Sequence, residues 1–204
     1  MNSREAGLMR YLLPLCTALA VLLNISPALA GVNSLELTVS TTITPSTCLA
    51  TLHDESGTAN AVVDMGDVYI PQIVNKSKSR AFSLVFSDCV GLAKKQATVT
   101  LTAKTGCDGA SGGGNGFRNA LNGSDDAAGV AAEIWAGAPP EASGSKQLRC
   151  ASPAQQLIDL VEASDTTTIV WPLSARIVLA SGSTITDLHT GSFSTQGMFT
   201  ISYE

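Results

Sequence analysis

Hydrophobic and polar positions alternate along most of this chain, and the cleanest alternation stands apart from the rest. Leu35, Leu37, Val39, Thr41 and Ile43 fall on one side of an extended segment. A period of two sends these side chains to a single face, and that face needs an apolar groove to bury it. No hairpin partner lies beside the segment in sequence. Thr44, Pro45, Ser46 and Thr47 follow, and the proline removes a backbone donor and breaks the ladder before the next strand begins at Cys48.

Downstream, the same periodicity predicts strands over residues 48–52, 61–65, 68–70, 81–86, 97–103, 130–135, 167–170, 175–179 and 198–203. In Phe82, Leu84, Phe86 and again in Val99, Leu101, Ala103 the apolar side chains share one face. That pattern belongs to antiparallel sheets packed face to face, so the predicted fold is an all-β sandwich. Residues 151–162 read either way, because Ser152-Pro153 suits a helix start while Leu157, Ile158, Leu160 and Val161 suit a helix or a buried strand; strand is the preferred reading. The glycine-rich stretch 107–122 and the proline-containing stretch 136–146 read as surface loops.

The first thirty residues change the compartment. Arg4 and Arg10 precede an apolar run over residues 11–23, and Ala28-Leu29-Ala30 offers small residues at the two positions read by a signal peptidase. Residues 1–30 are therefore predicted to be a cleaved signal, the run being shorter than the roughly 20 residues a bilayer core requires. Of the chain's 12 Lys and Arg and 17 Asp and Glu, this leader takes Arg4, Arg10 and Glu5, leaving a net charge of about −6. A nucleic-acid partner and membrane insertion are both set aside on these grounds.

Export also governs the cysteines. With Cys16 removed, Cys48, Cys89, Cys107 and Cys150 form an even set bound for an oxidising compartment, which argues for two disulfides. Four cysteines allow three pairings. Cys48 with Cys89 and Cys107 with Cys150 is favoured, because the first two sit on alternating apolar segments and the last two flank the glycine- and proline-containing stretch. No close pair such as C-x-x-C is present for zinc, and no metal or cofactor is expected. His53 and His189 lie in turns without a nucleophile motif beside them, so no catalytic residue is assigned and an enzyme is not expected.

Taken together, the segments resemble the pilin subunits of bacterial fimbriae assembled by the chaperone-usher pathway, in particular the type 1 group. The resemblance spans the chain from residue 31 onward. An alternating extension ends at Cys48, and the second cysteine arrives in Phe82-Ser83-Leu84-Val85-Phe86-Ser87-Asp88-Cys89, similar to the family's F-x-I-x-L-x-x-C segment. Residues 63–68 resemble the family's first apolar strand and glycine turn, residues 129–134 its A-x-G-V-x-I strand, and residues 172–176 its P-F-x-A-R step. Gly191 and the ending Phe199-Thr200-Ile201-Ser202-Tyr203, with tyrosine penultimate, carry the most specific likeness.

The resemblance implies an incomplete immunoglobulin-like sandwich lacking its last strand, with residues 31–47 as a free donor-strand extension and 48–204 as the pilin domain. It implies an acceptor groove bordered by Gly191, Phe199, Ile201 and Tyr203, and chaperone recognition of the terminal carboxylate at Glu204. The implied partners are a periplasmic chaperone, an outer-membrane usher and neighbouring subunits whose extensions replace the chaperone's strand. The implied location is a cell-surface fimbria of a Gram-negative bacterium, reached through the periplasm, where the subunit supports adhesion. Two departures from the pattern favour a minor or adaptor subunit. Thr41 stands seven residues before the first cysteine, where most type 1 extensions have glycine, and a second cysteine pair accompanies enlarged loops. A major rod pilin or a receptor-binding tip adhesin is the alternative, although tip adhesins place a lectin domain where this chain has its extension.

Overall fold

The computed structural model describes residues 39–41 and 45–203. The predicted signal and the donor positions Leu35, Leu37 and Ile43 lie outside them, as does Glu204. The chain divides into two units, Met1–Thr42 and Ile43–Glu204. Of the first, only Val39, Ser40 and Thr41 are described, all exposed and outside regular secondary structure. The second unit holds the fold.

Among its described residues that unit holds nine strands and one short α-helix, besides single 3-10 turns at Ala110–Gly112 and Ile185–Asp187: β1 (Thr47–His53), α1 (Ile70–Val74), β2 (Ser79–Val90), β3 (Gln96–Ala103), β4 (Phe117–Arg118), β5 (Val130–Ala136), β6 (Lys146–Gln147), β7 (Gln156–Asp159), β8 (Ile169–Leu179) and β9 (Gly197–Tyr203). They form two sheets. One has six strands in the order β1-β2-β8-β5-β4, with β6 also on β5; the other has three, in the order β7-β3-β9. Every pairing between these strands is antiparallel. The two sheets pack as an immunoglobulin-like sandwich around Phe82, Leu84 and Phe86 of β2, Val99 and Leu101 of β3, and Leu173 of β8, all buried.

Both disulfides form in the favoured pairing, Cys48–Cys89 and Cys107–Cys150. The first closes a β-bulge. Thr47 pairs with Val90 and Leu49 with Ser87, so Asp88 and Cys89 together stand opposite Cys48. Asp88 takes a φ of 50°, which shifts the alternation by one residue and turns Cys89 inward.

Four predicted strands need correction. Those over 167–170 and 175–179 are merged in one strand, β8, which starts at Ile169 and runs through Pro172. The carbonyl of Pro172 accepts from the Gly137 amide at 2.8 Å, so the proline nitrogen faces the side on which β5 has already ended. Its missing donor therefore breaks no ladder bond. Residues 61–65 and 68–70 are not strands: the first stretch pairs with no strand, and Ile70 opens α1. Pro71 sits in the first turn, where its lost N–H has no partner to lose, and the Tyr69 amide donates to the Gln72 side chain at 2.9 Å. The ambiguous stretch 151–162 contains strand β7.

Arg176 of β8 projects to the outer face of the six-stranded sheet, yet it is 3% exposed. Its Nε donates to Glu133 of β5 at 2.7 Å, its Nη2 meets Glu141 of the loop after β5, and its guanidinium lies 5.4 Å from the Trp135 ring centroid. Lys76 adds an ion pair to Glu141 at 3.6 Å. This cluster straps the 137–145 loop to the sheet and leaves the inner face free for other work.

The candidate acceptor groove

The two sheets differ in width. At about 4.8 Å between neighbouring strands, the three-stranded sheet spans roughly 10 Å between its outer axes and five strands in a row span roughly 19 Å. Among the described residues, part of the inner face of the larger sheet therefore has no strand above it. There the structure holds a cavity of about 1330 Å3, above the ~300–1,000 Å3 of a small-molecule pocket. Its size suits a length of chain.

Inward positions of four strands build the floor: Phe117 of β4, Val130, Ala132 and Ile134 of β5, Ala175 and Ile177 of β8, and Phe82 of β2. Ala132 pairs across with Ile177, and Ile134 with Ala175. Each cross-strand pair thus sets a small side chain against a large one, and the floor is corrugated, with hollows over the alanines. Phe117 is held from behind by the glycine-rich loop. Cys107 bridges Phe117 in the backbone, and buried Asp108 accepts from the amides of Gly116 at 2.8 Å and Ser181 at 2.7 Å.

Two stretches form the walls, residues 61–70 on one side and residues 188–199 on the other. Val63, Met65 and Val68 on the first wall and Leu188, Phe193 and Phe199 on the second are half-buried against the core. No backbone hydrogen bond joins residues 61–68 to β9. Among the described residues β9 pairs with β3 alone, so its other edge presents amides and carbonyls with no described strand beside them, next to an apolar trough. This combination fits a peptide that adds as a strand: the edge supplies main-chain bonds and the hollows receive alternate side chains.

The sequence-assigned groove residues separate into two sets. Gly191 and Phe199 line the cavity. At Gly191 a Cβ would collide with the Asp125 carbonyl oxygen and the Ala127 nitrogen, so only glycine lets this wall approach the loop behind it. Ile201 and Tyr203 point inward from the same face of β9 but lie beyond the cavity, packed against the core. Tyr203 sits edge-on to Phe86, with centroids 6.5 Å apart, and donates its hydroxyl to the Cys48 carbonyl at 3.1 Å. Burial pushes its phenol above the ordinary value. Of the 188–196 wall the sequence reading named Gly191 alone, and it missed the alanine hollows; the signal for the latter was the small-large alternation in Ala132, Ile134 and Ala175, Ile177.

His53, expected in a turn, is the last residue of β1 and pairs with Ser83, and both histidines have local partners. His53 Nδ1 bonds the Gly57 carbonyl at 2.9 Å and its Nε2 the Thr51 hydroxyl at 3.0 Å, while His189 forms a backbone bridge with Ala128. Among the described residues no cluster of three or more His, Cys, Asp or Glu is arranged to hold a metal ion, and no helix is long and apolar enough to cross a membrane.

No family model matches the chain. The chain is 36% identical over 195 residues to the uncharacterized fimbrial-like protein YadL of Escherichia coli strain K12, a match that covers 96% of each protein. Among solved structures, the P pilus rod subunit PapA is similar at 17% identity with a TM-score of 0.47, over 76% of this chain and 99% of that one. The CupB6 tip adhesin of Pseudomonas aeruginosa gives a TM-score of 0.45 at 18% identity over 63% of this chain. This chain spans 30% of that adhesin's length.

Proposed function

Because the chain belongs to the family of fimbrial proteins, we propose that it is a fimbrial subunit that polymerises by donor-strand exchange. The observation that carries this reading is the apolar groove beside the unpaired edge of β9. In this reading residues 1–30 are the signal, 31–47 the donor extension and 48–204 the pilin domain. Leu35, Leu37, Val39, Thr41 and Ile43 enter the groove of a neighbouring subunit, and this subunit's own groove receives a neighbour's extension. Each large apolar side chain buried in the exchange contributes about 1.5 to 3 kcal/mol, before the cost of ordering the strand.

A periplasmic chaperone occupies the groove first and gathers the Glu204 carboxylate, and an outer-membrane usher is the site of exchange. The product is a surface fimbria that supports adhesion. Thr41 in the donor segment and the second disulfide with its enlarged loops support a minor or adaptor position in the fibre. The role is structural and no catalytic step is assigned.

Deleting residues 31–45 tests the proposal. The truncated subunit is expected to capture a donor peptide and to bind chaperone, while losing the ability to extend a fibre as donor. A truncated subunit that still donates to a neighbour overturns it.

A further inference from the structure

β9 meets two different neighbours at its two ends. Near its start, Phe199 borders the groove, and, among the described residues, 197–203 are bonded in a ladder on one side only, to β3. At its far end the Tyr203 hydroxyl reaches Cys48. Among the described residues, that bond is the one hydrogen bond joining β9 itself to the six-stranded sheet. Cys48 is also the residue at which the extension is rooted in the second unit. The root has three further fastenings: the Cys48–Cys89 disulfide, the Ser46 Oγ that donates to the Gly91 carbonyl at 2.5 Å, and the pairing of Thr47 with Val90. Between them sits the bulge, where the Cys89 amide donates to Ser164 at 3.3 Å. Bulges interrupt a ladder locally and leave it easier to rearrange.

We propose that Tyr203 is a positioning residue that couples occupancy of the acceptor groove to order at the root of the chain's own extension. The inference rests on the acceptor reading above and adds a regulatory link to it. With the groove empty, β9 is an edge strand, and edge strands with few bonds open locally at low free-energy cost. Tyr203 moves with it, and the Cys48 carbonyl loses a fixed partner. A strand added along the free edge makes β9 an interior strand and fixes the tyrosine. The fixed hydroxyl then holds Cys48, and residues 45–47 leave the sheet in one direction. Ordering that has already been achieved by the first event need not be supplied again in the second, which is the condition for positive coupling between two sites. A subunit whose groove is filled, by chaperone or by neighbour, thereby presents its own extension in a fixed direction.

The test is amide hydrogen exchange on the mature chain, with and without a synthetic peptide of its own residues 31–47, in the native protein and in Tyr203→Phe. The native protein is expected to show protection of β9 on adding peptide, together with slower exchange at Ser46, Thr47 and Cys48 by about five-fold or more, the lower end of the range for coupled sites. In Tyr203→Phe, β9 is protected and the root is unchanged, because the ring against Phe86 remains while the hydroxyl is gone. A peptide that fails to protect β9 overturns the acceptor reading for this strand, and the coupling with it. Protection of β9 with no change at the root overturns the coupling alone. A root response that survives in Tyr203→Phe also overturns it, since the hydroxyl is then not the link.

Discussion

One alternation, Phe199, Ile201, Tyr203, runs the length of β9, and its two ends finish in different surroundings. At the Tyr203 end the strand lies against Phe86 and Cys48, and the interior is closed. At the Phe199 end the same face looks into the cavity over Ala132 and Ala175. The inward positions differ little in character, so the difference lies in what covers them. Over one half of the large sheet the β7-β3-β9 layer supplies a lid; over the other half the described residues supply two walls and no strand between them. A half-covered sheet is a specific binding device because its unmet needs, edge hydrogen bonds and apolar cover, are those another extended segment satisfies.

The contrast is broken most easily in the closed half. Leu173 is completely buried, and Leu173→Ala is expected to cost about 2–5 kcal/mol in a urea melt. Val62 on the open wall is 67% exposed, and Val62→Ala is expected to stay within about 0.5 kcal/mol. Similar losses at the two positions would show that the groove wall is packed as tightly as the core. A sharper version fills a hollow. Ala175 lines the groove floor and is 5% exposed, so Ala175→Leu is expected to cost about 1 kcal/mol, the low end of the overpacking range. Capture of a donor peptide, followed by fluorescence anisotropy, should weaken about ten-fold or more, which corresponds to about 1.4 kcal/mol. A large stability loss with unchanged capture would mean that the hollow belongs to the core.

The smallest effect lies on the outer face, away from both halves. The Arg176 guanidinium bonded to Glu141 holds that carboxyl below its ordinary value of 4.5. A depressed carboxyl contributes stability above its unfolded value, and the contribution disappears as pH falls through the lower folded value. The strap should therefore be intact from neutral pH down to about 4.5 and release below it. Glu141 is 53% exposed, so the shift in melting temperature should be slight and screened by salt. Glu141→Gln should flatten the acid limb of the melting profile, and an unaltered limb would remove Glu141 from the strap. Peptide capture should be indifferent to this change, because the strap and the groove lie on opposite faces of the sheet.

Much of the architecture was legible as alternation. β2, β3, β5 and β9 each carry a period-two apolar face, and that face is the one that packs inward. Pairing the cysteines by the kind of segment they occupy also gave the bonds that form. Residues 61–65 show where the signal stops. Their apolar content reads as strand, and in the folded chain they form an extended wall without a ladder, because a strand needs a neighbour that local sequence does not name. Pro172 erred in the other direction. A proline inside a run argues for a break, yet here its missing donor falls where β5 has ended.

By itself, the sequence determined which face of each segment would be apolar, because side-chain alternation follows from backbone geometry and needs no partner. Tertiary structure decided which apolar face would be covered. That outcome depends on sheet width and strand order, which are set by long-range pairing. The six-stranded sheet outruns the three-stranded one, and the shortfall, rather than any motif, is what leaves β9, among the described residues, with a free edge and a corrugated floor beside it.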